Sequence, residues 1–417
     1  MVVVNLNDEE YLPIPESADG QKQIEKSTNA YFAIVGFNAA ANEDMHQMGY
    51  KVIEEFERFV VDKDDFQFDI SQVPRADRLK IRGNSNVIYH PNRDGKLLDY
   101  LAKNKQKIVS FKLKNAKLYD RYRELIRYKN YKETSFYLPA WSDVMLMHKL
   151  HLHLTGIEWL DGDKSKAVAM LSEVMTFNRM LLGDSELLIT RMVATALLSI
   201  SFQQYTEISS LCKTCTSLDQ IIQPLSSLSR DDICLKESFY AELKYMKSIF
   251  IKTSLYSSGD ENILYEPIIR YFYQPAASFN NTFEVYNNLL QTCKIETYEI
   301  TPYIEKNHHL IEYHFPWYSF VYNPMGKYFL EGFNSYSLSS YIDLMLYLEV
   351  QLRMLQLQRL IYANKISPDD VAPYLNRQDK SLKNPFTNNP FKYDKKNHEL
   401  FLGDDQAKNF TVQLRRN

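Results

Sequence analysis

The sequence predicts a mainly α protein, built as an antiparallel array of helical hairpins with a few short strands. Three observations carry this. Only 12 of the 417 residues are glycine, whereas 30 are tyrosine and 23 phenylalanine. Nucleotide-binding α/β folds use glycine in phosphate loops and tight strand–helix turns, so the composition argues against them and for long helices packed through aromatic rings. Apolar residues recur at helical spacing, most clearly through 141–210, and the turns between those runs are short, as in antiparallel helix pairs.

Residues 1–20 read as an acidic, extended lead-in, and 21–135 as an N-terminal helical region. Within it, 21–62 forms two helices. The second starts near Asn42, a good N-cap, and aligns Met45, Val52, Phe56 and Phe59 on one face. Gly49 sits on that face, where a missing side chain admits another backbone. Residues 63–95 are mixed, with a short strand expected around Asn86–Tyr89. Over 96–132 the helical pattern returns. Leu118, Tyr122, Leu125 and Ile126 make an apolar stripe, and the opposite side is basic: 102–132 holds 11 Lys or Arg against two acids, Asp120 and Glu124.

The helical-hairpin core is expected over 136–293. Trp141–Leu160 presents Met147, Leu150, Leu154 and Ile157. After the DGDKS turn, Lys166–Leu182 presents Met170, Val174, Phe177 and Leu181. Gly183 then reads as the residue that ends this helix and Asp184 as the cap of the next, whose apolar face is taken as Ile189, Val193, Ala196 and Ile200. The stretch LTGIEWLDGDKSKAVAMLSEV looks like a tetratricopeptide-type hairpin in style, although no full repeat recurs at a fixed period. Ser229 with Asp232 spells a capping box for a helix reaching Phe250. A Tyr/Pro-rich connection covers 255–277, and Ser278–Cys293 is a short helix. Residues 294–379 combine an irregular aromatic loop, 296–333, with the longest helix, Ser337–Ala363. That helix is apolar around most of its circumference and is therefore placed centrally. The final part, 380–417, is an extended element ending in a small hairpin.

No GxGxxG, GxxxxGK[ST], GxSxG or HExxH occurs, which argues against nucleotide hydrolysis, dinucleotide-dependent redox chemistry, α/β-hydrolase chemistry and zincin chemistry. No cofactor, no resident metal and no catalytic residue is assigned. The net charge of −3 and a pI near 6.3 argue against nucleic acid as the partner of the whole chain. No window offers the ~18 uncharged apolar residues of a membrane span; Leu187–Phe202 is interrupted by Arg191, and Tyr341–Leu348 is closed by Glu349 and Arg353. Met1 opens directly on a polar segment, which leads to the expectation of an upstream signal or membrane anchor outside this sequence.

Four cysteines, Cys212, Cys215, Cys234 and Cys293, fit buried thiols in a reducing compartment or one or two bridges in an oxidising one. Cys212 and Cys215 form a CxxC, but no second pair completes a zinc ribbon and no strand precedes it. His148, His151 and Glu158 are the best metal-ligand candidates, weighed against a solvated polar face with His153 turned inward. His308, His309 and His314 cluster in the aromatic loop. Arg191 needs a carboxylate, and Glu158 or Glu173 on the neighbouring helices is expected to supply it. Arg121, Arg123 and Arg127, in the Tyr-interleaved basic run, are the candidate anion-binding residues, for phosphates in nucleic acid or at an anionic membrane surface. The acidic segment 43–69 offers them an internal partner instead.

Two segments resemble a loose group of uncharacterised proteobacterial envelope proteins. In NAYFAIVGFNAAANEDMHQMG, the residues Asn29, Tyr31, Gly36, Phe37, Asp44 and Gly49 follow that group's pattern at the start of the mature domain, just after a membrane anchor. In NAKLYDRYRELIRYKNYKE, Arg121, Tyr122 and Leu125 match a second segment. The C-terminal NPFTNNPFKYDKKNHELFLGDD is similar to a small terminal element in which Asn384 replaces Asp and Asn388-Asn389 replaces a Gly turn; asparagine tolerates left-handed backbone, so the turn survives. Pro385, Phe386, Pro390, Phe391 and Tyr393 are expected to pack this element on the body. The resemblance implies a periplasmic location, possible anchoring to the inner membrane, and, in one member type, an accessory role in type VI secretion. It transfers no catalytic residues.

The function expected from all this is a non-enzymatic helical scaffold in the bacterial periplasm that binds another envelope protein. The partner surface is placed at Phe315, Trp317, Tyr318 and Tyr322, since aromatic side chains anchor interfaces. The alternatives kept open are an envelope-glycan hydrolase using paired carboxylates and a cytoplasmic location.

Overall fold

The computed structural model describes residues 10–15, 25–62, 79–88, 97–211, 216–222, 225–255, 273–311, 323, 336–402 and 411–414. Helix accounts for 70% of them, in fifteen α-helices, with one small three-stranded antiparallel sheet.

The N-terminal part contains α1 (Ala30–Val35) and α2 (Met45–Asp62), then α3 (Leu97–Lys114) and α4 (Ala116–Leu125). Asn29 organises its start. Its side-chain oxygen accepts from the Tyr31 and Lys132 amides, and its Nδ2 donates to the Lys132 carbonyl, tying the α1 entrance to the segment after α4. The helices α1 and α2 touch through Gly36 and Gly49. A Cβ at Gly36 would lie 1.9 Å from the Met45 carbonyl oxygen, and one at Gly49 would lie 1.8 Å from that of Phe32. The second helix starts at Met45, two residues later than a cap at Asn42 suggests, because Asp44 takes the capping position and accepts from the Gln47 amide. The strand expected around Asn86–Tyr89 is a 3-10 turn, Ser85–Ile88, whose Ile88 is buried; an extended segment there would lack a partner strand among the described residues.

The centre is α5 (Trp141–Leu160), α6 (Lys164–Asp184) and α7 (Leu188–Ser210), each touching the other two. Met147, Leu150, Leu154, Ile157, Val174, Phe177 and Leu181 are buried as their spacing requires. Two details differ from the sequence reading. Gly183 lies inside α6 and Asp184 is its last residue, with Ser185 ending the helix; α7 starts after Leu187 without a side-chain cap. The inward face of α7 is also rotated. Ile189 is exposed, while Leu188, Ala194, Leu197, Leu198, Phe202 and Tyr205 are buried beside Thr190, Thr195, Ser201 and Gln204. Those polar residues made the true core face look like the outer one.

After α8 (Thr216–Ile222), Ser229 accepts from the Asp232 amide and Asp232 accepts in return from the Ser229 amide. This box starts only the short α9 (Arg230–Ile233); Leu235, with φ at +58°, breaks the chain before α10 (Lys236–Leu255). Next come α11 (Pro275–Leu290), packed on α10, α12 (Thr297–Lys306) and α13 (His308–Ile311). The first part of the expected irregular loop is thus helical despite Pro302, with the Glu296 amide donating to Glu299 at its start. Cys234 and Cys293 form a disulfide that joins the α9–α10 junction to the turn after α11.

The long α14 (Tyr336–Ala363) lies across α7 and is buried along most of its length, as its composition predicts. Its Glu349 accepts from the Leu228 amide and from Arg353 Nε at 2.6 Å, and Arg353 donates onward to the Lys380 and Lys383 carbonyls. A short α15 (Val371–Asn376) leads to the sheet β1 (Lys392–Asp394), β2 (Glu399–Phe401) and β3 (Val412–Gln413), in register Tyr393 to Leu400 to Val412. Asn388 adopts φ +57°, the left-handed conformation that the Asn-for-Gly reading requires, and Asn384 closes the turn by accepting from Phe386.

Candidate functional site

The basic run 102–132 divides between two sides of α4. Arg121, inward, is 3% exposed. Its guanidinium donates to the carbonyls of Phe37, Ala39, Ala40 and Glu43 at 2.6–3.0 Å. It therefore clamps the α1–α2 loop and is not placed to meet a ligand, which corrects its assignment as an anion-binding residue. The acid-rich segment does meet the basic run here, but through backbone carbonyls. Beside Arg121, the Tyr122 hydroxyl donates to His148 Nδ1 (2.8 Å) and the Tyr119 hydroxyl to His151 Nδ1 (3.2 Å). The Nε2 atoms face the carbonyls of Leu197 (3.1 Å) and Met170 (3.4 Å). A carbonyl only accepts, so each Nε2 carries the proton and each Nδ1 accepts. Burial pushes His148 down to about 3 and His151 to about 4, leaving both imidazoles neutral.

That arrangement overturns the solvated-face reading of the histidines and also the metal reading. All four ring nitrogens have partners, and Glu158 is held by Lys166 at 2.6 Å. The one convergent ligand-type group among the described residues is Asp231 with Cys234 and Cys293, whose sulfurs are bonded to each other. The CxxC at 212–215, His314 and the aromatic set Phe315, Trp317, Tyr318 and Tyr322 lie outside the described residues. Arg191 is paired, but with Asp232 on α9 at 2.7 Å, not with Glu158 or Glu173.

On the outer side of α4, helices α4, α5 and α6 enclose a cleft of about 610 Å³. This lies within the ordinary range of ligand sites. Tyr119 and Arg123 from α4, Lys129 after it and Lys112 at the end of α3 face Glu158 on α5 and Lys166, Ser172, Glu173 and Thr176 on α6; Leu154 and Met170 add apolar surface. Both carboxylates are engaged: Glu158 with Lys166, and Glu173 with Arg127 at 3.4 Å. Lys112 Nζ lies 5.4 Å from the centre of the Tyr119 ring. Arg123 and Lys129 make no ion pair among the described residues. Of the three candidate arginines, Arg123 lines the cleft and Arg127 borders it through Glu173. Burial raises the Tyr119 phenol to about 12, with Arg123 opposing, so it stays protonated.

The chemistry available is anion binding. His151 sits behind Tyr119 with both nitrogens engaged. Sequence reasoning missed Lys112, Lys129 and the α6 wall, because only the fold brings residues some fifty positions apart onto one rim.

A second, smaller cavity of about 170 Å³ is lined by Glu133, Glu186, Glu237, Tyr240 and Lys244. Glu133 accepts from the Tyr131 hydroxyl (2.9 Å) and the Glu186 amide (2.7 Å), and burial raises its carboxyl to about 7. Nothing in the sequence singled it out. Comparison with family models, with curated proteins and with solved structures finds no match to this chain.

Proposed function

We propose that the chain is a non-enzymatic helical scaffold of the bacterial periplasm, which holds another envelope protein by an acidic segment seated in the α4–α5–α6 cleft. The observation that carries this is the charge balance of the cleft: its two carboxylates are already paired, while Arg123 and Lys129 line it with no carboxylate partner among the described residues. Carboxylates on a partner would complete them. The Cys234–Cys293 disulfide supports an oxidising compartment. The sequestered histidines support a binding role over catalysis. Within this reading the hairpins form a tetratricopeptide-style array, the aromatic segment around Trp317, Tyr318 and Tyr322 adds partner surface, and accessory service to type VI secretion is the specific role.

The test is site-specific photocrosslinking in living cells from a probe at Thr176, on the cleft wall. A discrete adduct with one envelope protein is expected, lost in Arg123→Glu/Lys129→Glu and retained in Lys365→Glu, which is remote from the cleft. An adduct indifferent to cleft charge would remove the cleft from the interface. Thiol trapping of the same cells checks the compartment: Cys234 and Cys293 should resist alkylation until reduced.

One observation favours a second reading, an envelope-glycan hydrolase. Glu133 is a carboxyl raised to about 7 in a cavity with two further carboxyls, as a general acid requires. Against it, both Glu133 oxygens already accept hydrogen bonds and the cavity is below the usual ligand-site size. Glycan-cleaving activity lost in Glu133→Gln would establish that reading over the scaffold.

A further inference from the structure

The inner face of α3 is an ordinary core face: Leu98, Leu101, Ile108 and Phe111 are buried. Its outer face is not an ordinary solvent face. Val109 and Leu113, one turn apart, are 36% and 68% exposed, and Leu113 is the most exposed large apolar side chain among the described residues. Along the adjoining row stand Lys103, Lys107, Ser110 and Lys114 at i, i+4, i+7 and i+11, all exposed, and Lys117 continues the charge at the start of α4. The only acid in α3 is Asp99, in its first turn. The helix is held firmly. Glu207 accepts from the Leu97 and Leu98 amides at its N-terminus, and Lys105 is paired with Asp161 at 2.5 Å.

We propose that this face docks on an anionic lipid surface. A row of lysines about 16 Å long, at 1.5 Å per residue, meets headgroup phosphates. Their long stems allow the charges to stay in the headgroup layer while the leucine and valine beside them enter the acyl boundary. Charge complementarity selects the lipid sign, and the apolar pair selects lipid over other polyanions. A nucleic-acid backbone offers Leu113 no apolar phase, and a folded acidic protein would need a pocket shaped to it, whereas a bilayer adapts. Two apolar side chains are too few for insertion alone, so the contact depends on charge, is reversible and weakens with salt. It stands apart from the cleft, since none of the docking residues lines that site.

The test is sedimentation of the full chain with vesicles of phosphatidylglycerol mixed with phosphatidylcholine, against pure phosphatidylcholine. Binding is expected only to the anionic vesicles and should fall steeply as salt rises from about 0.1 to 0.5 M. Lys103→Ala/Lys107→Ala/Lys114→Ala should weaken it roughly 100-fold, at about fivefold per lysine, and Leu113→Asp by about tenfold or more. Arg123→Ala/Lys129→Ala should leave it unchanged. All these side chains are exposed, so folding is not at stake. Failure to bind anionic vesicles, equal binding to neutral ones, or binding that survives both sets of α3 substitutions would overturn the proposal. So would salt-sensitive capture of polyglutamate or duplex DNA with no vesicle binding.

Discussion

Arg121 and Arg123 stand two residues apart in one basic run, yet the two sides of α4 that carry them have opposite chemistry. The inner side is closed: four carbonyls surround Arg121, and the Tyr119 and Tyr122 hydroxyls complete two neutral imidazoles. The outer side is open, with paired acids around the cleft and, among the described residues, no ion pair to Arg123 or Lys129. A charge run in a sequence therefore does not say which charges the fold already uses. That is decided by which loops pass within reach, here residues 37–43, some eighty positions away.

The largest expected effect breaks the inner side. Arg121→Ala strands four carbonyls and should destabilise by about 3–5 kcal/mol, given 1–3 kcal/mol per unsatisfied buried group and partial relaxation. Arg123→Ala should stay within about 0.5 kcal/mol. Urea unfolding of the two variants side by side checks the contrast, and similar midpoints would erase it.

Glu133 gives the next effect. Its folded carboxyl lies near 7, against an ordinary 4.5. The folded state thus binds the proton more tightly than the unfolded state does. The associated stability is fully present below about pH 4.5 and is lost as pH rises through 7. Over that window it amounts to about 3 kcal/mol, at 1.36 kcal/mol per unit. Glu133→Gln should flatten the stability–pH curve there, and a curve with unchanged slope would show the carboxyl is already ionised at low pH.

Tyr122→Phe removes the hydroxyl from His148 Nδ1 without changing ring volume. It should cost about 1–2 kcal/mol, in thermal unfolding compared with wild type. Smallest of all, chelator treatment should leave the melting temperature unmoved, because the His148 and His151 nitrogens already have partners. A clear drop would locate a metal requirement elsewhere in the chain.

Much of the fold was legible. The boundaries of α5, the central α14 and a terminal hairpin follow from apolar spacing and turn residues, signals confined to a few neighbouring positions. What was misread depended on distant partners. The polar residues of α7 hid its core face; several of them satisfy their hydroxyls one turn back in the same helix or on α14, as with Thr195 on the Arg191 carbonyl and Ser209 on Gln358. Arg191 found Asp232, beyond the helices nearest in sequence. The cleft was legible only in part. Arg123 and Arg127 were singled out by charge, but Arg121 looked identical to them. Glu133, flanked by Lys132 and Thr134, carried no pattern at all.

The position of α14 has a consequence for how the chain reaches this fold. Its contacts with α7 join residues about 150 positions apart, and the Glu349–Leu228 bond spans 121. Until residues near 350 are available, one face of α7 has no cover, so the central helices cannot complete their burial by themselves. Pairings of such long range are slow to form, because loop closure precedes any gain. A nascent chain would hold that apolar face open from the completion of α7 at Ser210 until the long helix Tyr336–Ala363 is made, so assembly of the core is a late, cooperative event. A truncation before α14 should give an aggregating species, not a smaller folded domain.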